Sequence, residues 1–169
     1  AEPTLQGCVP LKELLSLGRD ERALALAPLT SEGPGLALGT RQGVVKRVNP
    51  EVLGRDEWPL ITLKDDDEVV GAVALDDGAE ELCFVTSDAQ LLHFAADAVR
   101  PQGRSGGGVA GVKLAPGATV RFFGTLPGGW QDRDGDVVVT VSGSATALPG
   151  TEAGAAKVTP FAEYPANGR

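Results

Sequence analysis

With 169 residues, a 42% hydrophobic share and a formal net charge of -8, the chain can build one substantial core and is not a uniformly basic nucleic-acid binder. Only 5% of residues are aromatic while glycine numbers 23 and proline 12, a balance that favours many short strands joined by tight turns over long helices. No apolar run approaches the ~20 residues of a membrane helix, and the leading AEPTLQGC lacks the basic and apolar regions of a secretion signal, so a soluble cytoplasmic protein is expected.

Residues 9–17 (VPLKELLSL) have the spacing of a short amphipathic helix and lead into Gly18-Arg19-Asp20-Glu21. That tetrad recurs unchanged from Gly54 to Glu57, and its Gly-Arg pair returns at Gly103-Arg104 and Gly168-Arg169. Repeat units therefore begin near Gly18, Gly54 and Gly103, with a further one at Gly168. Four residues before three of these glycines stand Leu14, Val99 and Tyr164, close to an acid at Glu13, Asp97 or Glu163, which predicts a shared turn that packs each repeat on its neighbour.

Strand signals follow in order at residues 23–29, 36–39, 44–48, 59–63, 69–75, 82–86, 90–94, 109–114, 120–126, 137–142, 145–148 and 156–159. Thr40, Thr86 and Thr140 hold equivalent places in three strand-turn-strand units at intervals of 46 and 54 residues, a period that fits propeller blades with insertions better than helical repeats. Turn chemistry separates the strands at Gly33-Pro34-Gly35, Asp76-Asp77-Gly78, Pro127-Gly128-Gly129 and Asp134-Gly135. At four antiparallel strands per blade, this is an all-β single domain over residues 1–169 with about three blades. Much of the acid is local, at residues 65–68, 76–77, 80–81 and 132–136. Cys8 and Cys83 read as buried free thiols in a reducing compartment and not as a disulfide.

Three stretches together resemble the C-terminal β-pinwheel of bacterial type IIA topoisomerase A subunits, the group of DNA gyrase and topoisomerase IV. They are the T-x-x-G-x-x-K-R pair of strands from Thr40 to Arg47, QGRSGGG from Gln102 to Gly108, and EYPANGR from Glu163 to Arg169. The resemblance implies a propeller-like ring whose blades exchange an outer strand and whose basic rim bends duplex DNA, with strand cleavage done elsewhere in the enzyme. The gyrase hallmark resembles Q-R-R-G-G-K-G. Gln102, Arg104, Gly106 and Gly108 match it, while Gly103, Ser105 and Gly107 depart, and the loss of basic residues at Gly103 and Gly107 points to a topoisomerase IV-like protein over gyrase. Such rings usually have about five or six blades. The strands in this chain account for fewer, so an incomplete ring belonging to a longer subunit is expected.

Wrapping DNA requires lysines and arginines along a curved edge to neutralise phosphates, and glycine turns that let backbone approach the duplex. Arg41, Lys46, Arg47, Arg100, Arg104 and Lys113 fall in such turns, with Lys157 and Arg169 in related places of the last repeat. The partners implied are duplex DNA, the remaining domains of the topoisomerase and, through them, its ATPase B subunit, in the bacterial cytoplasm at the nucleoid; no membrane is involved. The alternative is a protein-interaction propeller that meets a basic partner with its acidic face.

The residues argue against an enzyme in its own right, since no nucleophile-base pair, metal cluster or phosphate loop is recognisable, and no cofactor is implied. Asp132 to Asp136 alternates acids around a glycine but lacks the later glutamate of a calcium loop, so a solvated turn is the better reading. His93 has no ligand partner at suitable spacing and reads as a packed or half-exposed strand residue. Tyr164 reads as a packing anchor and not a strand-cleaving nucleophile; Trp58 and Trp130 read as core or edge packing.

Overall fold

The computed structural model describes residues 7–129, 135–143 and 154–166. Its elements are one turn of helix, α1 (Leu11–Leu14), and nine strands: β1 (Leu36–Thr40), β2 (Val44–Val48), β3 (Val69–Ala74), β4 (Glu81–Thr86), β5 (Leu91–Ala95), β6 (Val109–Ala110), β7 (Val120–Leu126), β8 (Val137–Ser142) and β9 (Ala155–Pro160). Single 3-10 turns at Ala96–Ala98 and Phe161–Glu163 stand before the last two Gly-Arg pairs.

The repeat is built on hairpins whose turns are chemically equivalent. In β1–β2, Thr40 accepts from Gly43 N at 3.0 Å through its carbonyl and from Val44 N at 3.1 Å through Oγ1. In β4–β5, Thr86 accepts from Ala89 N and Gln90 N at 3.1 Å in the same way. This turn needs a left-handed residue, which is Gly43 (φ 84°) in the first repeat and Ala89 (φ 60°) in the second. Thr40 and Thr86 therefore tie their hairpin turns, whereas Thr140, expected at an equivalent place, stands inside β8 opposite Lys157.

Three antiparallel sheets result, with strand orders β3-β1-β2-β6, β5-β4-β7 and β8-β9. The order of the first sheet carries the fold: β6 follows the β4–β5 hairpin in sequence yet pairs with β2, through Val44↔Ala110 and Val45↔Val109. The chain leaves the second blade to complete the first, then returns as β7 to pair with β4. This is the strand exchange of a pinwheel, and the blades do not close into a ring among the described residues.

The core lies between the first two blades, where Ala37 and Val45 meet Phe84, Phe94, Val99, Val120 and Phe123, all buried. Phe84 and Phe123 pack with ring centroids 4.8 Å apart. The sheets approach so closely that a Cβ on Gly39 would lie 2.2 Å from the Phe123 ring, so glycine is required there. A smaller cluster joins Cys83 to Phe161 and the third blade.

Several expectations are corrected. Residues 23–29 and 59–63 are not strands. The first stretch is exposed, with Leu26 at 93%, and in the second the Leu60 carbonyl and the Thr62 side chain are used by other partners instead of a ladder. Only Val109–Ala110 of residues 109–114 is a strand, because Gly111 N and Val112 N both turn to the Gly43 carbonyl, at 2.8 and 3.1 Å. Four strands are present in the first sheet only, and residues 145–148 lie outside the described part. The predicted anchor holds at buried Val99, while Leu14 is 68% exposed. Both cysteines are thiols, as expected, but Cys8 is exposed and only Cys83 is buried. Burial, helped by the negative charge of Glu81, pushes the Cys83 thiol up to about 12.

Candidate nucleic-acid interface

The glycine-rich loop from Gln102 to Gly108 links the end of the second blade to β6 and lies against the first blade. Its base is pinned where Gln102 N donates to the Arg47 carbonyl at 2.9 Å and Asn49 N donates to the Gln102 carbonyl at 3.3 Å. The Gln102 side chain caps the loop internally, with Oε1 accepting from Gly108 N at 3.1 Å, and Gly106 N donates to the Gly103 carbonyl at 3.1 Å. Thr62 Oγ1 adds a bond to the Ser105 carbonyl at 3.0 Å. The loop is tied down along its length.

Lys46 does most of that tying. On β2 it shares a face with Leu38, its partner across the β1–β2 pair, and is fully buried beneath the loop. Its Nζ donates to the carbonyls of Leu60 at 2.7 Å, Arg104 at 2.8 Å and Gly106 at 2.6 Å, which uses all three ammonium protons. Desolvation lowers its pKa from the usual lysine value. Arg47 points to the opposite face and is also buried; its Nη1 donates to the carbonyls of Ala96 at 3.1 Å and Val99 at 3.4 Å, and its Nη2 to that of Pro34 at 3.4 Å. Neither residue can reach a phosphate while the domain is folded. Both are therefore withdrawn from the basic rim that the sequence suggested, since the strand alternation that places them has both of its faces covered.

The other basic positions differ in setting. Arg41 is exposed in the β1–β2 turn, 3.8 Å from Glu68. Arg100 and Lys113 are exposed, as is Lys157 on β9. Arg104 is half-buried, its Nε 2.8 Å from Glu51 Oε2. Arg169 lies outside the described residues, as do Asp132, Asp134 and Trp130. The backbone brings two of these positions to one place: the Gly43 carbonyl binds Gly111 N and Val112 N, so Lys113 adjoins the turn that carries Arg41. Arg121, which sequence reasoning missed, joins them, because Val120 N donates to the Arg41 carbonyl at 2.8 Å and Arg121 is exposed beside it. Its outward place next to buried Val120 in β7 was the available signal.

Acid is not segregated from this edge. Asp67 Oδ1 accepts from Gln42 N at 2.9 Å, next to Arg41, and Glu51 holds Arg104. His93 is fully buried, with Nδ1 against the Glu81 carboxylate and Nε2 on the Tyr164 carbonyl. Tyr164 packs against Phe161, with ring centroids 6.0 Å apart, as expected of an anchor.

A family model described as the DNA gyrase C-terminal domain, a β-propeller, matches residues 59–76, 80–126 and 150–169. The chain belongs to this family. Among curated relatives, the DNA gyrase A protein of Staphylococcus epidermidis is 33% identical over 150 residues, covering 85% of this chain and 16% of that protein. That of Haemophilus influenzae is 32% identical over 111 residues, covering 63% and 12%. The C-terminal domain of DNA topoisomerase IV matches the fold with a TM-score of 0.70 at 24% identity, over 94% of this chain and 46% of that one. The DNA gyrase A C-terminal domain matches with a TM-score of 0.54 at 25% identity, over 69% and 40%. The chain thus spans a small part of the full-length proteins it matches and about half of the solved gyrase-family domains. The exchange of β6 onto the first blade is thus found in a chain of this family.

Proposed function

We propose that this domain binds and bends duplex DNA for a type IIA topoisomerase of topoisomerase IV type, as part of the A subunit, without catalysing cleavage itself. The observation that carries the proposal is the glycine-rich loop, fastened to a blade of a gyrase-family domain and bearing Arg104. In this reading Arg41, Lys113 and Arg121 at one edge, with Arg100, Arg104 and Lys157, neutralise phosphates, and Arg169 does so in the next repeat. Phosphate contacts position the duplex without reading its sequence, so discrimination comes from how easily a sequence bends. The changed box, neutral at Gly103 and Gly107, supports topoisomerase IV over gyrase because a less basic loop holds a shorter wrap. The partners in the strand passage that this domain steers are the enzyme's cleavage domains and its ATPase B subunit, in the bacterial cytoplasm.

Duplex titration at two salt concentrations tests this. Log affinity is expected to fall with log salt by about 0.9 per phosphate contacted. Absence of duplex affinity at low salt overturns the reading.

A second reading has an observation of its own. A groove of about 390 Å³ beside the first sheet is lined by apolar residues that include Leu36 and Trp58, by Glu32, Glu51, Asp56 and Glu57 and, as the one basic residue among those described there, by Arg104 paired to Glu51. That acidic lining suits a basic peptide, which would keep its affinity where duplex DNA shows none.

A further inference from the structure

We propose that Glu51 is a built-in counter-ion that withholds Arg104 from duplex DNA, so that the glycine-rich loop offers no net charge to a phosphate while the pair holds. The inference rests on the DNA reading above and deepens it by adding a restraint to the same loop.

The backbone sets the pair. Val48 and Gln102 form a parallel bridge, in which Gln102 N donates to the Arg47 carbonyl at 2.9 Å and Asn49 N to the Gln102 carbonyl at 3.3 Å. The two segments run side by side in one direction, and this brings Pro50-Glu51 alongside Arg104. Each is then held: the proline ring fixes φ just before Glu51, and Lys46 Nζ holds the Arg104 carbonyl at 2.8 Å. The side chains meet with Arg104 Nε 2.8 Å from Glu51 Oε2. Exposed ion pairs are weak in part because two mobile chains must be ordered to make them. Here both backbones are already fixed, which leaves only the side-chain rotamers to order. Arg41 differs, since it stands 3.8 Å from Glu68 and both of those side chains are more exposed.

The pairing matters because Arg104 is the one charged residue from Gln102 to Gly108. Arg104 also lines the groove that holds Glu32, Asp56 and Glu57, so the acid around it exceeds its own charge. Its side chain is 29% exposed against 45% for Glu51, and a phosphate that approaches the guanidinium therefore approaches the carboxylate too. The Nη groups of Arg104 have no acceptor among the described residues. A phosphate that took them would share one guanidinium with a carboxylate, and the two anions would repel each other. Without Glu51, the whole fork and its full charge are open to a phosphate.

Glu51→Gln, Arg104→Ala and the double variant of the 169-residue chain, each titrated with a short duplex at several salt concentrations, test the proposal. Glu51→Gln is expected to bind about fivefold more tightly at low salt, with log affinity falling more steeply against log salt by about 0.9, the increment of one further phosphate. Removing an acid near the duplex also strengthens binding in a general way, and the Arg104→Ala background measures that effect by itself. In that background the gain should fall below about twofold. An unchanged affinity or an unchanged slope in Glu51→Gln overturns the withholding role, as does an equal gain with Arg104 replaced. Weaker binding by Glu51→Gln overturns it in favour of a carboxylate that orients Arg104 towards phosphate. Absence of duplex binding by both the unsubstituted chain and Glu51→Gln overturns the DNA reading, and the withholding role with it.

Discussion

The buried ring of His93 places Nε2 3.1 Å from the backbone carbonyl of Tyr164. Arg47 stands at the equivalent place one repeat earlier and reaches the carbonyl of Val99, equivalent to Tyr164, at 3.4 Å. Each of the first two hairpins thus sends one nitrogen-bearing side chain past the next Gly-Arg pair and into the turn that precedes the one after it. A carbonyl can only accept, so Nε2 donates, and the other ring nitrogen faces the Glu81 carboxylate. His93→Leu leaves that carboxylate and the Tyr164 carbonyl unpaired in a buried place, and should cost about 2–4 kcal/mol in chemical denaturation. Tyr164→Phe keeps the backbone acceptor and should change stability by less than about 0.5 kcal/mol. Equal losses in the two variants would show that the side chain of Tyr164, and not its carbonyl, makes the junction.

Gly39 and Phe123 set the distance between the first two blades. Gly39→Ala puts a methyl group inside the Phe123 ring's space, and should destabilise by about 3 kcal/mol or more. Pairing it with Phe123→Leu should recover part of the loss, because the two positions share one volume. Additive losses in the double variant would mean that the strain lies elsewhere.

Ala89 holds a left-handed conformation that Gly43 provides freely in the first repeat. That backbone costs a non-glycine residue about 1–2 kcal/mol, while glycine gives back roughly 0.5–1 kcal/mol through its greater freedom when unfolded. Ala89→Gly is therefore expected to raise stability by about 0.5–1 kcal/mol, read as a higher thermal midpoint. A lower midpoint would refute it.

Cys83 links stability to alkaline pH. Its thiol ionises at about 12 when folded against 9.0 for an ordinary cysteine, so above pH 9 the unfolded chain has lost the proton that the folded chain keeps. The stability it contributes is complete below pH 9 and is lost as pH rises towards 12. Cys83→Ala should flatten that fall. A thiol reagent at neutral pH should label exposed Cys8 in the native protein and Cys83 only after unfolding.

The blades were legible in sequence because the threonine-tied turn is a local device. Thr40, Thr86 and the residues between them and their partner strands lie within a few positions of one another, so the period shows directly. The sites were less legible because the same alternation that makes Val44–Val48 a strand cannot say which of its faces is covered. Lys46 and Arg47 look like rim cations on a one-sided sheet, and are buried because the glycine-rich loop covers one face and the turn at Ala96 to Val99 the other. Residues 23–29 have strand composition but stand exposed and outside the sheets, and Arg121 was hidden in an apolar run that reads as core.

The crossing of β6 onto the first blade also has a bearing on how the chain folds during synthesis. The β1–β2 hairpin leaves the ribosome early, but its sheet keeps a bare edge until Val109–Ala110 has emerged, after the whole of the β4–β5 hairpin. The boundary between the first two blades in sequence is thus not a boundary of independent folding. A nascent chain halted between β5 and β6 should present the β2 edge to proteases and to other nascent chains, and one halted just past Ala110 should not.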